Sequence, residues 1–305
     1  MEEKHLIVDN SPHIKDKDSV MSIMWWVVIA LLPAAGAGVY YFGISALWII
    51  LVSVLSAVIT ETVIQKFMGR NNTVKDGSAV ITGLLLALVL PPTVPLWLAA
   101  VGSIIAIAIA KFAFGGLGFN IFNPALIGRA FLVGSWPILM TTWLSPDGLT
   151  SATPLGALKV GGELIATNMQ MFLGNIGGTI GETSVVAILV GALILFLKKI
   201  INWRIPATYI GTVFVFAWIF GQDAIFHILG GGLMLGAFFM ATDYVTSPIT
   251  RNGKFVFGVG CGLLTIIIRV FGGINEGVMY SILLMNAFTP IIDRYTQPKV
   301  FGAKK

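Results

Sequence analysis

Charge is scarce in this 305-residue chain: 11% of residues are Asp, Glu, Lys or Arg against 56% hydrophobic, and the mean hydropathy is +0.90. Soluble domains carry roughly a quarter charged residues, so that class is excluded and an integral membrane protein remains. Cysteine is scarcer still. The single Cys261 lies in an apolar run, which excludes a disulfide framework and any iron–sulfur or zinc centre built by this chain alone. The three histidines, His5, His13 and His227, share no metal-ligand spacing and no acid completes a motif, so no metal site is expected. GxGxxG, Walker and nucleophile-elbow patterns are missing, and "GVGCG" (258–262) sits inside an apolar span, where close glycines serve helix packing. The first 19 residues lack both an apolar core and a small-residue cleavage site; they read as a cytoplasmic tail and not a signal peptide. In a soluble protein a net charge of +5 would point to nucleic acid, but here the placement of cations along the loops carries the information, and no nucleic-acid partner is expected.

What is present is a series of apolar runs near the roughly 20 residues that cross a bilayer, with Gly and Pro inside them as membrane bundles allow. They lie at about 21–41, 45–66, 77–91, 95–113, 124–140, 184–200, 205–220, 224–241, 255–271 and 276–292. With the N-terminus inside, this arrangement puts all but Lys159 and Arg269 of the 19 lysines and arginines on the inner side, as the positive-inside rule requires. The expectation is an all-α polytopic membrane protein of about ten transmembrane helices with both termini cytoplasmic. Residues 1–20 form an N-terminal tail, 21–140 a first five-helix half, 141–183 an extracytoplasmic loop, 184–292 a second five-helix half and 293–305 a C-terminal tail. An odd number of spans per half makes the halves an inverted repeat. "TGLLLALVLPPTVP" (82–95) followed by "FGGLGFN" (114–120) is echoed by "GGLMLGAFFMATDYVTSP" (231–248) followed by "FGGINEG" (271–277).

Few polar groups in this setting can carry chemistry. An acid at bilayer depth costs at least about 2.5 kcal/mol, so each requires a reason. Glu61, between Thr60 and Thr62, offers oxygens to a small hard cation or a proton, or else snorkels to the nearby inner surface. Asp76 reads as a helix cap with Ser78, and Asp243 as a cap or loop residue. "FGGLGFNIFNPALIGRA" (114–130) is richer than a turn requires. Asn120 and Asn123 present amides suited to a planar heterocycle, Phe119 and Phe122 present rings that stack, and Pro124 suits a first helical turn. A tight turn with an Asn cap explains part of the same stretch. The alternative reading of these residues is an inverted-repeat secondary transporter or channel, in which the Gly-Pro breaks and Glu61 form a solute path without redox chemistry.

"DGSAVITGLLLALVLPP", "KFAFGGLGFNIFNPALIGRAFL" and "DGLTSATPLGAL" resemble, in order and spacing, segments of the RnfD/NqrB family, and the resemblance covers nearly the whole chain. Length and the short N-terminus are more similar to the RnfD branch than to the NqrB branch of quinone reductases. In that family a flavin transferase recognises Asp-x-x-(Ser or Thr)-Gly-Ala-Thr and esterifies the last Thr with the phosphate of FMN. The matching residues are Asp147, Thr150, Ser151, Ala152 and Thr153, with Ser151 standing where the pattern has Gly.

The resemblance implies covalent FMN on Thr153, with Lys159 a candidate partner for its phosphate. It also implies non-covalent riboflavin, for which the Asn-rich turn is the candidate site. The implied activity is electron transfer within a Na⁺- or H⁺-translocating ferredoxin:NAD⁺ oxidoreductase, in which the chain is not catalytic alone. The implied partners are an outer FMN-bearing subunit, iron–sulfur subunits, the other membrane subunits and membrane lipid. The implied location is a bacterial or archaeal cell membrane.

Overall fold

A computed structural model describes residues 19–70, 73–147, 153–159, 166–273 and 276–298. The described residues are organised as helices. Three are long and apolar enough to cross a membrane: α1 (Val20–Phe42), α2 (Ile44–Phe67) and α13 (Arg251–Phe271). The chain is a helical membrane protein. The remaining helices are α3 (Ser78–Leu88), α4 (Leu96–Ile105), α5 (Pro124–Ser135), α6 (Pro137–Met140), α7 (Pro154–Lys159) and α8 (Asn168–Leu173). They continue with α9 (Val185–Leu197), α10 (Arg204–Ile219), α11 (Ala224–Leu229), α12 (Leu233–Leu235) and α14 (Val278–Thr296). α4 runs on as π-helix over Ala106–Phe112 and α12 over Gly236–Met240.

Local chemistry sets where the apolar runs stop. α1 starts at Ser19, whose side chain accepts from the Ser22 N–H, and α5 starts at Asn123, which accepts from Ala125 and Leu126 ahead of Pro124 at its first position. The run expected at 124–140 is two helices, because Pro137 has no N–H with which to continue the ladder. The run at 224–241 is also interrupted, at Gly230–Gly232 between α11 and α12.

α3 ends just short of Pro91-Pro92, and the carbonyls it leaves free find donors far along the chain. The N–H groups of Ile180 and Gly181 donate to Leu90 O and Leu88 O at 3.0 and 2.7 Å. This joins the stretch before α9 to the end of α3. A Cβ on Gly181 would lie 2.6 Å from Leu88 Cβ, so the approach requires glycine. Residues 176–185 are buried throughout, and the end of the segment expected as an outer loop is an irregular strand of chain packed inside the protein. Non-helical backbone of this kind is tolerated in a membrane protein where protein surrounds it.

α1 packs against α9 and α5 against α14, while α2 packs against α3 and α4 as α10 packs against α11 and α13. One continuous apolar core runs through these contacts.

Candidate functional site

Two cavities lie along α5. The first surrounds its start. Its lining includes Asn120, Asn123, Ser78, Lys111, Phe239 and Asp243, in a volume of about 90 Å³. Asn123 is already committed: its Oδ1 caps α5, and its Nδ2 donates to Met240 O at 3.3 Å. Asn120 donates to Phe122 O at 3.2 Å and keeps its amide oxygen for another donor. Phe119 is 70% exposed and Phe122 is half-buried; neither lines this cavity. The structure therefore brings the two asparagines together at a cavity and leaves the two rings outside it.

The second cavity, about 240 Å³, is lined by Arg129, Met140, Trp143, Thr153, Glu276 and Tyr280, with others. Ala125 lines the first cavity and Arg129 the second, so a single turn of α5, about 6 Å of rise, separates their linings. Thr153 is 7% exposed and stands at the start of α7, where its Oγ accepts from the Gly156 N–H at 3.1 Å. Asp147 is exposed, and Thr150, Ser151 and Ala152 lie outside the described residues.

Lys159, at the far end of α7, lies about 9 Å of helix rise from Thr153 and lines a different cavity, of about 210 Å³, with His227 and Arg269. The cation that shares a cavity with Thr153 is Arg129.

Arg129 is buried between two acids. One guanidinium nitrogen donates to Glu276 and another to Glu182 at 3.5 Å, while Nε is buried with no acceptor among the described residues. Glu182, in the buried stretch before α9, feels desolvation and the charge of Glu276 more than the opposing charge of Arg129, and its carboxyl is pushed up to about 8. Arg269 lies close by and closes the end of α11 by donating to the carbonyls of His227 and, at 3.1 Å, Gly230.

Glu61 is fully buried, which excludes the snorkelling alternative. Its Oε2 accepts from Lys111 Nζ at 2.6 Å, and Lys111 also donates to Ser78 Oγ at 2.7 Å. Oε1 accepts from Gln65 Nε2 at 3.2 Å and from Thr73 Oγ1 at 3.5 Å. Thr60 and Thr62 do not join it. As neighbours on a helix they point to other faces, and their hydroxyls donate to Ser56 O and Val58 O. Asp76 does not occupy the cap of α3, which is Gly77. It ends the 3-10 turn Val74–Asp76, and its Oδ1 accepts from the Ser78 N–H at 2.8 Å and the Ser78 hydroxyl at 2.6 Å, while Asp243 accepts from Thr246 Oγ1.

Sequence reasoning missed Lys111 and Arg129, which count as loop cations on the inner side when only the spans are known. They are 2% and 6% exposed, so they are buried partners of acids and do not report on sidedness. The signal has the same form as for Glu61, a charge several residues inside an apolar run. Glu182 and Glu276 carry no such signal, because Glu182 precedes its run and Glu276 stands at the first position of its own.

These features define a helical membrane protein with a buried charge cluster and a hydroxyl acceptor at one cavity and a polar-lined cavity one helical turn away. The chain belongs to the NQR2, RnfD, RnfE family, whose model matches residues 7–302. It is 51% identical over 319 residues, covering 98% of this chain and 96% of the relative, to the D subunit of the proton-translocating ferredoxin:NAD(+) oxidoreductase complex of Clostridium ljungdahlii. It is 52% identical over 312 residues, covering 100% and 98%, to the D subunit of the Na(+)-translocating ferredoxin:NAD(+) oxidoreductase complex of Acetobacterium woodii. The D subunit of the ion-translocating oxidoreductase complex of Stutzerimonas stutzeri is 40% identical over 329 residues, covering 94% and 93%.

Proposed function

We infer that this chain is the D subunit of an ion-translocating ferredoxin:NAD⁺ oxidoreductase and carries electrons through a flavin esterified to Thr153. Full-length similarity to subunits of that name supports the complex. The observation that carries the site is Thr153 Oγ at the start of α7, lining a cavity with Arg129, Trp143 and Tyr280.

These residues fit the phosphate and ring system of FMN. Thr153 would supply the oxygen for the phosphoester, Trp143, Tyr280 and Met140 apolar and aromatic wall, and Arg129 a positive charge in the lining. Bound flavin would supply one-electron and hydride chemistry, with the protein contributing position and electrostatics. Arg129 would give the bound group a positive neighbour, and Glu182 and Glu276 hold that guanidinium in place. At the first cavity, Asn120 offers an amide to riboflavin, and Phe119 and Phe122 take no part in that reading. A separation of about one turn of α5 keeps the two cavity linings close.

The packing of α1 on α9 and α5 on α14 supports two five-helix halves related as an inverted repeat, ten spans in all, and the loop lysines and arginines support both termini as cytoplasmic. Lys111 and Arg269 strengthen the correspondence. Each lies near the end of the fourth helix of its half and donates into the third, to Ser78 and to the end of α11. A cation coupled through Glu61 competes with Lys111 Nζ for Oε2, so Glu61→Gln in the assembled complex is expected to alter the ion dependence of turnover. Unchanged dependence would remove Glu61 from the path. The remaining partners are an outer FMN-bearing subunit, iron–sulfur subunits and a flavin transferase.

The test is direct: coexpress the chain with a flavin transferase, denature it, and follow flavin fluorescence through electrophoresis. Fluorescence is expected to migrate with the wild-type chain and to be lost in Thr153→Ala. Fluorescence retained in that variant, or absent from wild type, refutes the assignment.

A further inference from the structure

Between the end of α9 and the starts of α10 and α13, cations converge on a polar hollow that has no part in the flavin reading. Its volume is about 190 Å³, and its lining includes Lys199, Asn202, Ser247 and Lys254. Among the described residues neither lysine has a carboxylate partner. Lys254 lies in the first turn of α13, which Arg251 opens, and Arg204 opens α10; neither first turn contains an acid. Asp293, near the end of α14, accepts from the Ile249 and Thr250 N–H groups ahead of α13 at 3.1 and 3.3 Å. It is a single carboxylate against Arg204, Arg251 and Lys254 at the positive ends of two helix dipoles, and an anion in the hollow would offset the remaining positive charge.

Lys199 is held at φ 56°. Its N–H donates to Phe196 O and that of Ile200 to Leu195 O, closing α9 in a geometry for which glycine is the default residue. A lysine at this position forgoes the easier backbone and puts a cation in the lining of the hollow.

Leu197, Trp203 and Ile249, each within two residues of a lining residue, are 74%, 56% and 83% exposed and make the chain around the hollow an apolar rim. Trp203 meets Phe255 edge to face at 6.0 Å, and the Arg204 guanidinium lies over both rings. Aromatic and cationic side chains combined in this way mark the headgroup level of a bilayer.

We propose that the hollow binds the phosphate of an anionic phospholipid, with Lys199 and Lys254 as charge partners and the Asn202 amide and Ser247 hydroxyl as donors. The Asn202 Oδ1 already accepts from the Arg204 N–H at 3.1 Å, which leaves its NH₂ facing outward from that bond. The apolar rim selects lipid over free phosphate, because only lipid brings acyl chains to cover it.

Native mass spectrometry of the purified full-length chain, titrated with phosphatidylglycerol or phosphatidylcholine, tests this. Wild type is expected to retain phosphatidylglycerol in preference to phosphatidylcholine, and Lys199→Gln/Lys254→Gln to bind it at least tenfold more weakly. Lys199→Arg/Lys254→Arg is expected to restore binding, which separates charge from folding. Lys198→Gln removes the same charge from a lysine that stacks on Trp26 at 4.0 Å, outside the hollow, and is expected to bind as wild type does. Equal retention of both lipids, unchanged retention in the double Gln variant, or equal loss in Lys198→Gln overturns the proposal. Displacement of the lipid by inorganic phosphate at matched concentration overturns its lipid part.

Discussion

Glu61 and Lys111 form a buried pair whose two halves are worth little apart. The side chains are 0% and 2% exposed, with Nζ and Oε2 2.6 Å apart. In Glu61→Gln the ammonium stays buried with Ser78 Oγ as its remaining partner. In Lys111→Met the carboxylate stays buried with Gln65 and Thr73. An uncompensated buried charge of either sign costs about 3–5 kcal/mol, whereas replacing both members of such a pair is often close to neutral. The double variant Glu61→Gln/Lys111→Met is therefore expected within about 2 kcal/mol of wild type, with a coupling energy of roughly 3 kcal/mol or more. At roughly 2–4 °C per kcal/mol for chains approaching this size, each single variant loses about 6–20 °C of apparent Tm. Thermal unfolding of the four proteins in one detergent, followed by tryptophan fluorescence, closes the cycle. Single variants within 1 °C of wild type, or losses that simply add in the double variant, would refute the pair as described. The double variant also separates stability from coupling, since on the ion reading of Glu61 it folds and transfers electrons but loses its ion dependence.

Three further outcomes follow from the packing and the charge cluster. A Cβ on Gly191 would meet Ala30 O at 2.0 Å, so Gly191→Leu forces α1 and α9 apart and is expected to lower apparent Tm by several degrees, while Gly211→Leu, where nothing lies within 4 Å, leaves it unchanged. The native Glu182 carboxyl holds its proton up to about 8 and the unfolded chain releases it near 4.5. The native state thus binds the extra proton between those values, stability falls as pH rises from about 4.5 to 8, and Glu182→Gln should flatten that part of the stability–pH profile. Arg129→Met strands Glu182 and Glu276 together and should destabilise by about 3–5 kcal/mol in thermal unfolding, with Arg129→Lys recovering part of the loss.

The helices are legible where a period and a cap coincide. Asn123 and Pro124 mark a start in the sequence, and they mark one in the structure because of capping and proline's fixed φ. Adjacency in sequence suggests Thr60 and Thr62 as companions of Glu61, but adjacency on a helix turns side chains about 100° apart, and position 65 is the neighbour of position 61. Proximity in sequence suggests Lys159 for Thr153 as well. A loop allows that, but a helix of six residues holds the two at opposite ends. The buried acids are invisible for a different reason. Glu182 enters the interior on irregular chain whose backbone donors are taken by α3, a long-range pairing without a local signature.

That pairing gives the flavin reading its physical setting. The chain that carries Glu182 to Arg129 is fixed by the carbonyls freed where α3 stops, and α3 stops ahead of Pro91-Pro92. The proline pair in the first half of the sequence thereby places an acid from the second half beneath Thr153. Arg129, one turn into α5, meets that acid and Glu276 together, so the charge cluster forms only when both halves are folded against each other. Thr153, buried over the cluster and capping α7, is held in place by the same assembly. If Thr153 is the flavin acceptor proposed above, a transferase would have to reach its hydroxyl before α7 docks, or after Leu155 leaves the small apolar cluster of Met171, Ile176 and Phe226 that holds it. Leu155→Ala weakens that docking and is expected to speed flavin attachment in a coexpression time course. A slower or unchanged rate would mean that the acceptor is modified without α7 having to move.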